Sequence, residues 1–375
     1  MVSHEHQHQL CTIIPTHIIK QLVRTEPDQK KQSKLIETLH RSVATRATRK
    51  IHYDDKGLSN TIVQADNASK GRFQKNDERL NIFDCRGSYN FPKKPVLQLG
   101  AKQHGTKPKI MSQKQLDYLD VVYKFYHDVL HRDSFNSHGA VINFYGDYGD
   151  AYDNAFWDGK QLVFGTGDEE IFLNFADFID VIAHEFTHGV TQYEANLSYQ
   201  GQSGALNEAI SDIIGETIKQ YEAKQSANDA DWLVGAGLIN KENFPDAIAL
   251  RSMKEPGTAY NNNRLGKDPQ PDHMNKYVNT DEDNGGVHIN SGIPNKAYYN
   301  FATSLGGNSW DIAVKVFYKA LQDQRLTNPN TDFRGFADAT FRVAGRGIEG
   351  SGVDAASLQQ KVKDAWVNVG VSLSQ

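Results

Sequence analysis

Apolar positions change their period near residue 172, and the change divides the sequence into two unlike halves. From Ile51 to about Gly167 they fall in short or alternating runs, such as Val96 to Leu99 and Ala140 to Tyr145, punctuated by Gly, Asn and Asp. Alternation at period two puts successive side chains on opposite faces of a strand, so this stretch reads as β-rich. One segment interrupts it, where Leu116, Leu119, Val122, Tyr123, Tyr126 and Leu130 recur at helical spacing. After Phe172 the period predicts helices over 175–193, 204–222, 291–305, 309–323, 332–344 and 354–368. Residues 240–290, rich in Asn, Asp, Pro and Gly, read as a long functional loop. Residues 1–50 contain no glycine and end in a basic run from Arg41 to Lys50, which suits an exposed, cleavable junction. The expected class is α+β, with a leading segment over 1–50, a β-rich lobe over 51–183 and a mostly helical lobe over 184–375.

Composition narrows the possible partners. The 375 residues, 38% apolar and 23% charged, are ordinary for a soluble globular chain of two or three domains. The net charge of −5 comes without any long block of one sign, so neither nucleic acid nor a membrane surface is favoured as a partner. The opening MVSHEHQHQL lacks a basic flank followed by an apolar stretch, which argues against export by the general signal-peptide route. Its His4, His6 and His8 read as a solvated tail. Cys11 and Cys85 are the only cysteines, which excludes a disulfide framework and suits two free thiols.

The chemistry concentrates in His184-Glu185-Phe-Thr-His188, inside an apolar-periodic helix. Imidazoles four residues apart project from one helix face and can reach one ion. In a chain with 14 histidines the pattern alone leaves a pair of ordinary histidines as a fair alternative. A second helical stretch, Gly204-Ala-Leu-Asn207-Glu208-Ala-Ile-Ser-Asp212, offers Glu208 as a third ligand across a loop long enough to fold back. Two histidines and one carboxylate leave a position for water, the open coordination of a catalytic zinc. Glu185, beside the ligands without being one, can take that water's proton. Asp212, one turn beyond Glu208, is placed to receive the other ring N–H of a ligand histidine, and Asn207 can serve the second.

Five blocks in order carry a resemblance. They are Asn154-Ala155-Phe-Trp157-Asp-Gly, His184 to His188, Gly204 to Asp212, Arg251-Ser-Met, and Asp283-Asn-Gly-Gly-Val-His288-Ile-Asn-Ser-Gly292. Over about residues 115–370 the chain resembles the thermolysin-like neutral metalloproteases. The resemblance implies a two-lobed enzyme with zinc in the cleft between the lobes, acting as a monomer on peptide or protein substrates. His288, with Asp283 holding its ring, is similar to the histidine that stabilises the tetrahedral oxyanion, and Tyr199 to the tyrosine assisting it. Arg251 looks like the arginine that binds a substrate carbonyl on the leaving side, and Asn154 and Ala155 like the strand that pairs with substrate backbone. Leu250, Val181, Phe172 and Phe175 align with the pocket for a bulky apolar residue after the scissile bond; Val181 and Phe172 suit a plain core role equally well.

Two departures qualify the resemblance. Where family members often hold a pair of calcium ions, the aligned positions are Lys219, Leu233 and Ala236, with only Asp180 and Asp231 acidic. Calcium needs six to eight oxygens, so the double site is expected to be lost, with Lys219 pairing Asp180 or Asp231 instead. At the N-terminus, Cys11-Thr-Ile-Ile14-Pro15-Thr-His17 resembles the Ile-Pro element in the short prosegments of the protealysin branch. That implies a zymogen, its first 50 or so residues packed on the enzyme and cut near Arg49-Lys50 by the enzyme itself or by another protease. Cys11 either ligates zinc as a thiolate or packs with the Ile-Pro stretch in the substrate groove. Secretion is implied by the family, with a cytoplasmic location or export by another route as the alternative. An aminopeptidase would need an acidic, glycine-rich grip on a free amine that is absent from the sequence. A binding protein on the same fold would have lost Glu185 or His288, and both are present.

Overall fold

One mixed sheet organises the first half of the chain. In the computed structural model, which describes residues 11–42, 80–98, 113–323, 325 and 327–374, it has six strands in the order β1-β5-β6-β4-β2-β3. These are β1 (Cys11–Thr12), β2 (Leu80–Asp84), β3 (Leu97–Gln98), β4 (Ile142–Gly146), β5 (Ala155–Trp157) and β6 (Leu162–Phe164). The centre is parallel, β2 with β4 and β4 with β6, and β5 returns antiparallel along β6 to leave its outer edge toward the site. Alternation sorts the side chains by face. Ile82, Phe144, Leu162, Ala155 and Trp157 join the main core, while Phe83, Tyr145, Phe156 and Val163 join a separate aromatic cluster with Tyr148 and Tyr152.

Helix α3 (Gln113–Asp128) takes the place expected from the Leu116–Leu130 periodicity and buries Leu119, Val122 and Phe125. Helix α4 (Ile179–Tyr193) crosses the 183/184 division and packs along α5 (Gly201–Ala223), which is almost wholly buried. The remaining helices, α7 (Gly292–Leu305), α8 (Ala313–Gln322), α9 (Phe333–Gly345) and α10 (Ala355–Val367), follow the predicted stretches, with α9 running one residue past 344. They close around Phe317, Phe336 and Trp366, whose rings stack or meet edge-on. The 240–290 loop is pinned by β8 (Arg251–Ser252), which pairs with β7 (Leu233–Val234).

Two features depart from the sequence expectation. A short helix, α6 (Asp283–Asn290), precedes α7; it begins with Asn284, Gly285 and Gly286 all at positive φ, a left-handed entry that hides its periodicity. The leading segment is structured as well, with α1 (Thr16–Thr25) and α2 (residues 29–42). Ile18, Ile19 and Leu22 form the stripe that buries α1, and Pro15, extended at φ −60 and ψ 142, separates it from β1. Arg41 therefore lies in an ordered helix and not in an exposed junction, while positions 43–50, including Arg49 and Lys50, lie outside the described residues.

Candidate active site

Helices α4 and α5 run close enough for their polar side chains to meet in the core. Gly215 permits the approach, since a Cβ there would lie 2.8 Å from the Asp180 carbonyl of α4. His184, His188 and Glu208 are each fully buried, and their ligand atoms all lie within 4.8 Å of one another. The two Nε2 atoms are 3.0 Å apart, His184 Nε2 is 3.4 Å from Glu208 Oε2, and His188 Nε2 is 3.5 Å from Glu208 Oε1. Ligands at zinc bond lengths stand about 3.3 Å apart along the edges of a tetrahedron. The donor set and its spacing fit zinc.

The opposite ring nitrogens are held from behind. His184 Nδ1 lies 2.9 Å from Asp212 Oδ1, and His188 Nδ1 lies 2.8 Å from Asn207 Oδ1 and 3.1 Å from Ser211 Oγ. These partners turn each Nε2 toward the shared point. Asp212 also receives Arg251 Nε and Nη2, both at 2.8 Å, and Asn295 Nδ2 at 2.9 Å. Burial opposes its charge, but Arg251 and then His184 outweigh it and hold the carboxyl down at about 2.

Glu185 lies on the neighbouring face of α4. Its Oε2 accepts from Trp157 N at 2.8 Å, while Oε1 is buried without a hydrogen-bond partner among the described residues. Burial, reinforced by Glu208, pushes this carboxyl up to about 8 against the pull of His184. An unpaired oxygen on a carboxyl so disposed to hold a proton is what a general base requires. On the other wall, the left-handed entry of α6 folds Asp283 onto His288, with Oδ2 accepting from His288 N at 2.8 Å and Oδ1 lying 2.7 Å from Nδ1. Burial works against the charged imidazole, yet Asp283 and then Glu208 raise its pKa. The Tyr199 hydroxyl donates to Glu208 Oε1 and lies 3.3 Å from His288 Nε2.

The leading segment passes through this site as a strand. Cys11 and Thr12 pair with Trp157 and Phe156, and Ile13 N donates to Ala155 O at 3.2 Å. Ile14 N donates to Asn154 Oδ1 at 3.0 Å. The Thr12 carbonyl lies 2.9 Å from His288 Nε2, and the Ile13 carbonyl accepts from Arg251 Nη1 at 3.1 Å. Ile13 and Ile14 are fully buried in one continuous core with Phe172, Phe175, Val181 and Leu250. The Cys11 side chain lies outside the described residues, and Cys85 is a buried free thiol that burial pushes up to about 12.

Residues 52–192 match the thermolysin metallopeptidase catalytic domain and residues 195–371 its α-helical domain, two models that meet where α4 ends. An extracellular metalloprotease of Pectobacterium carotovorum subsp. carotovorum is 37% identical over 98% of this chain and 98% of its own length. The chain belongs to the thermolysin family of metallopeptidases. A thermolysin of Alicyclobacillus acidocaldarius subsp. acidocaldarius is 42% identical over 68% of this chain and 44% of that protein. Among solved structures, the precursor of protealysin, a metalloproteinase from Serratia proteamaculans, is 37% identical, with a TM-score of 0.80 over 96% of this chain and 100% of that one. This thermolysin-family chain is thus a zinc metalloendopeptidase in precursor form, of the protealysin-like kind.

Beside the zinc helices of this thermolysin-family member lies the cluster built around Lys219. Its ammonium meets Asp231 Oδ1 at 2.9 Å, as the sequence suggested, and also Glu216 Oε2 at 2.7 Å and the Leu233 carbonyl at 2.6 Å. Asp180 is occupied by backbone, accepting Gly235 N at 2.7 Å and Val181 N at 3.1 Å. Glu216, one turn before Lys219, is the member that sequence reasoning missed. Burial pushes its carboxyl up to about 7 although Lys219 pulls it down. Lys219→Met therefore leaves Glu216 to take up a proton. The Lys219 side chain is 18% exposed, so the cost stays below that of a fully buried pair, at about 1–2 kcal/mol in urea unfolding at pH 8.

Proposed function

We propose that the chain cleaves peptide bonds in the groove that its own residues 11–15 now fill, with Thr12 and Ile13 standing where a substrate's two residues flank the scissile bond. The observation that carries this reading is the pair of carbonyl contacts, Thr12 on His288 and Ile13 on Arg251. A substrate lies along the β5 edge as an added strand, with Ala155 O and Asn154 gripping its backbone. The residue after the scissile bond enters the apolar pocket of Phe172, Phe175, Val181 and Leu250, which favours bulky hydrophobic side chains there.

His184, His188 and Glu208 hold the zinc, with Asp212 and Asn207 fixing the two rings. Zinc, when bound, supplies the Lewis acidity that makes its water a nucleophile near neutral pH. Glu185 would take a proton from the attacking water and pass it to the leaving amine as the C–N bond breaks. His288 and Tyr199 donate to the oxygen on which negative charge develops, and Asp283 keeps the His288 ring aimed and charged. Arg251, oriented by Asp212, fixes the next carbonyl and so the angle of the scissile bond.

The leading segment acts as an intramolecular inhibitor that the enzyme itself removes, with cleavage after α2. Secretion accords with the name of the Pectobacterium relative. The test is hydrolysis of a Gly-Leu-type dipeptide amide with and without a zinc chelator, followed alongside the size of the chain on a gel. Chelator-sensitive hydrolysis that grows as about fifty N-terminal residues are lost supports the proposal, and a cleaved, zinc-loaded chain without hydrolysis ends it.

Docking of the segment is expected to depend on pH through His17. Its Nε2 lies 3.0 Å from the Tyr260 hydroxyl, and burial lowers its pKa from 6.5 to about 4 despite Asp283. A docked pKa below the free value means that docking is strongest above pH 6.5 and weakens as pH falls toward 4. The full effect is at most about 300-fold in the docking equilibrium. In a Glu185→Gln precursor, which cannot process itself, hydrogen exchange of α1, corrected for intrinsic rates, should show protection falling across that window. His17→Gln should flatten the dependence.

A further inference from the structure

The backbone of the leading segment meets the groove group by group. The Thr12 carbonyl lies 2.9 Å from His288 Nε2, and Ile13 N donates to Ala155 O at 3.2 Å. The Ile13 carbonyl accepts from Arg251 Nη1 at 3.1 Å, and Ile14 N donates to Asn154 Oδ1 at 3.0 Å. Reversing a strand reverses the polarity of every peptide bond in it, so these four partners together fix the direction in which the segment lies. That direction is the one in which the proposed machinery would act, with the carbonyl of the Thr12–Ile13 bond on the imidazole and the next carbonyl on the guanidinium.

The side chain after this bond suits the site as well. Ile13 is fully buried in one continuous core with Phe172, Phe175, Val181 and Leu250, and burial of a branched apolar side chain favours its binding there. A proline at position 13 would bar this alignment by removing the N–H that Ala155 holds, but the proline of the segment stands two places later, at Pro15.

The two sides of the bond are held unequally. After Ile13 the chain is anchored by the buried Ile18, Ile19 and Leu22 of α1, by Lys20 on Glu282 and Glu26 on Arg264, and by Lys34 of α2 on Asp150, each of the three ion pairs at 2.9 Å. Before it, among the described residues, Cys11 and Thr12 pair with Trp157 and Phe156, and Thr12 Oγ1 donates to the Ile14 carbonyl at 3.2 Å. A cut at this bond would free the short side and leave the long side docked.

We infer that the Thr12–Ile13 bond is itself a cleavage site, which each zinc-loaded precursor hydrolyses in its own groove. One water is consumed. Its oxygen joins the Thr12 carbonyl carbon, the C–N bond breaks, and its two protons go to the nitrogen, so that Thr12 ends in a carboxylate and Ile13 begins with an ammonium. The inference rests on the reading of the groove given above and adds a cut inside the segment to the one proposed after α2. The piece ending at Thr12 leaves, while Ile13 and Ile14 still fill the part of the groove beyond the scissile bond.

The test is mass spectrometry of the zinc-loaded precursor, sampled over time at two well-separated concentrations. A new N-terminus at Ile13 should appear at the same rate per molecule at both, and about 10²- to 10⁴-fold more slowly in Glu185→Gln. Ile13→Gly, which empties the apolar pocket, should slow the cut by about 10- to 100-fold, and Ile13→Leu should retain it. A Thr12–Ile13 bond that stays intact, while the processed enzyme hydrolyses a Gly-Leu-type dipeptide amide, overturns the cleavage site and leaves the hydrolytic reading standing. A rate per molecule that rises with concentration overturns the cut within the chain's own groove. Absence of hydrolysis of both the segment and the amide overturns the groove reading and the cleavage site with it.

Discussion

Glu185→Gln should lower peptide hydrolysis by about 10²- to 10⁴-fold while leaving zinc content unchanged. The side chain is fully buried, stands beside the ligand set without joining it, and has one oxygen held by Trp157 N and the other unpartnered among the described residues. Glutamine preserves the shape and can still accept from Trp157, so the scaffold should hold. What it cannot do is take a proton. The zymogen should consequently stay at full length, since self-processing needs the same base. Hydrolysis rates, zinc content and a gel over time check the three consequences together, and a glutamine variant that processes itself at the normal rate would contradict the assignment.

Asp212→Ala should destabilise the protein by about 3–5 kcal/mol, because Arg251 would be left as a charge buried without its partner. Arg251 is 2% exposed and gives two hydrogen bonds to this carboxylate. The same change removes the partner of His184 Nδ1, and zinc affinity should fall by about 10- to 100-fold. Asp212→Asn keeps the shape and loses the charge, and should fall between. The carboxyl is held at about 2, below its ordinary 3.8, so its contribution is present above pH 3.8 and is lost as pH falls toward 2. Urea unfolding and competitive zinc titration separate the effects on stability and on metal binding.

Much of the site was legible because it lies on regular helices. His184 and His188 share a face by the helical period, and Glu208 and Asp212 are one turn apart on α5, so their convergence needed only that the helices pack. The Arg251 link to Asp212 spans 39 positions, and no periodicity reports it. The sequence suggested a role for each residue but not that one positions the other. Helix α6 escaped because Asn284, Gly285 and Gly286 break the apolar spacing that would announce it, and that break is what returns Asp283 to His288. The leading segment held a readable signal in Ile18, Ile19 and Leu22, obscured by the basic residues around them. Those charges meet the rest of the fold, with Lys20 pairing with Glu282 at 2.9 Å and Arg264 reaching back to Glu26 at 2.9 Å. Charge read along a sequence suggests solvent, whereas here it marks an interface between two parts of one chain.

Zinc titration of the processed, chelator-stripped protein tests the central claim most directly. Hydrolysis should be absent without metal, rise linearly to one equivalent of zinc and then level off, and His184→Ala should show no rise over the same range. Hydrolysis that persists in the stripped protein, or a fully zinc-loaded protein without any, would contradict the account.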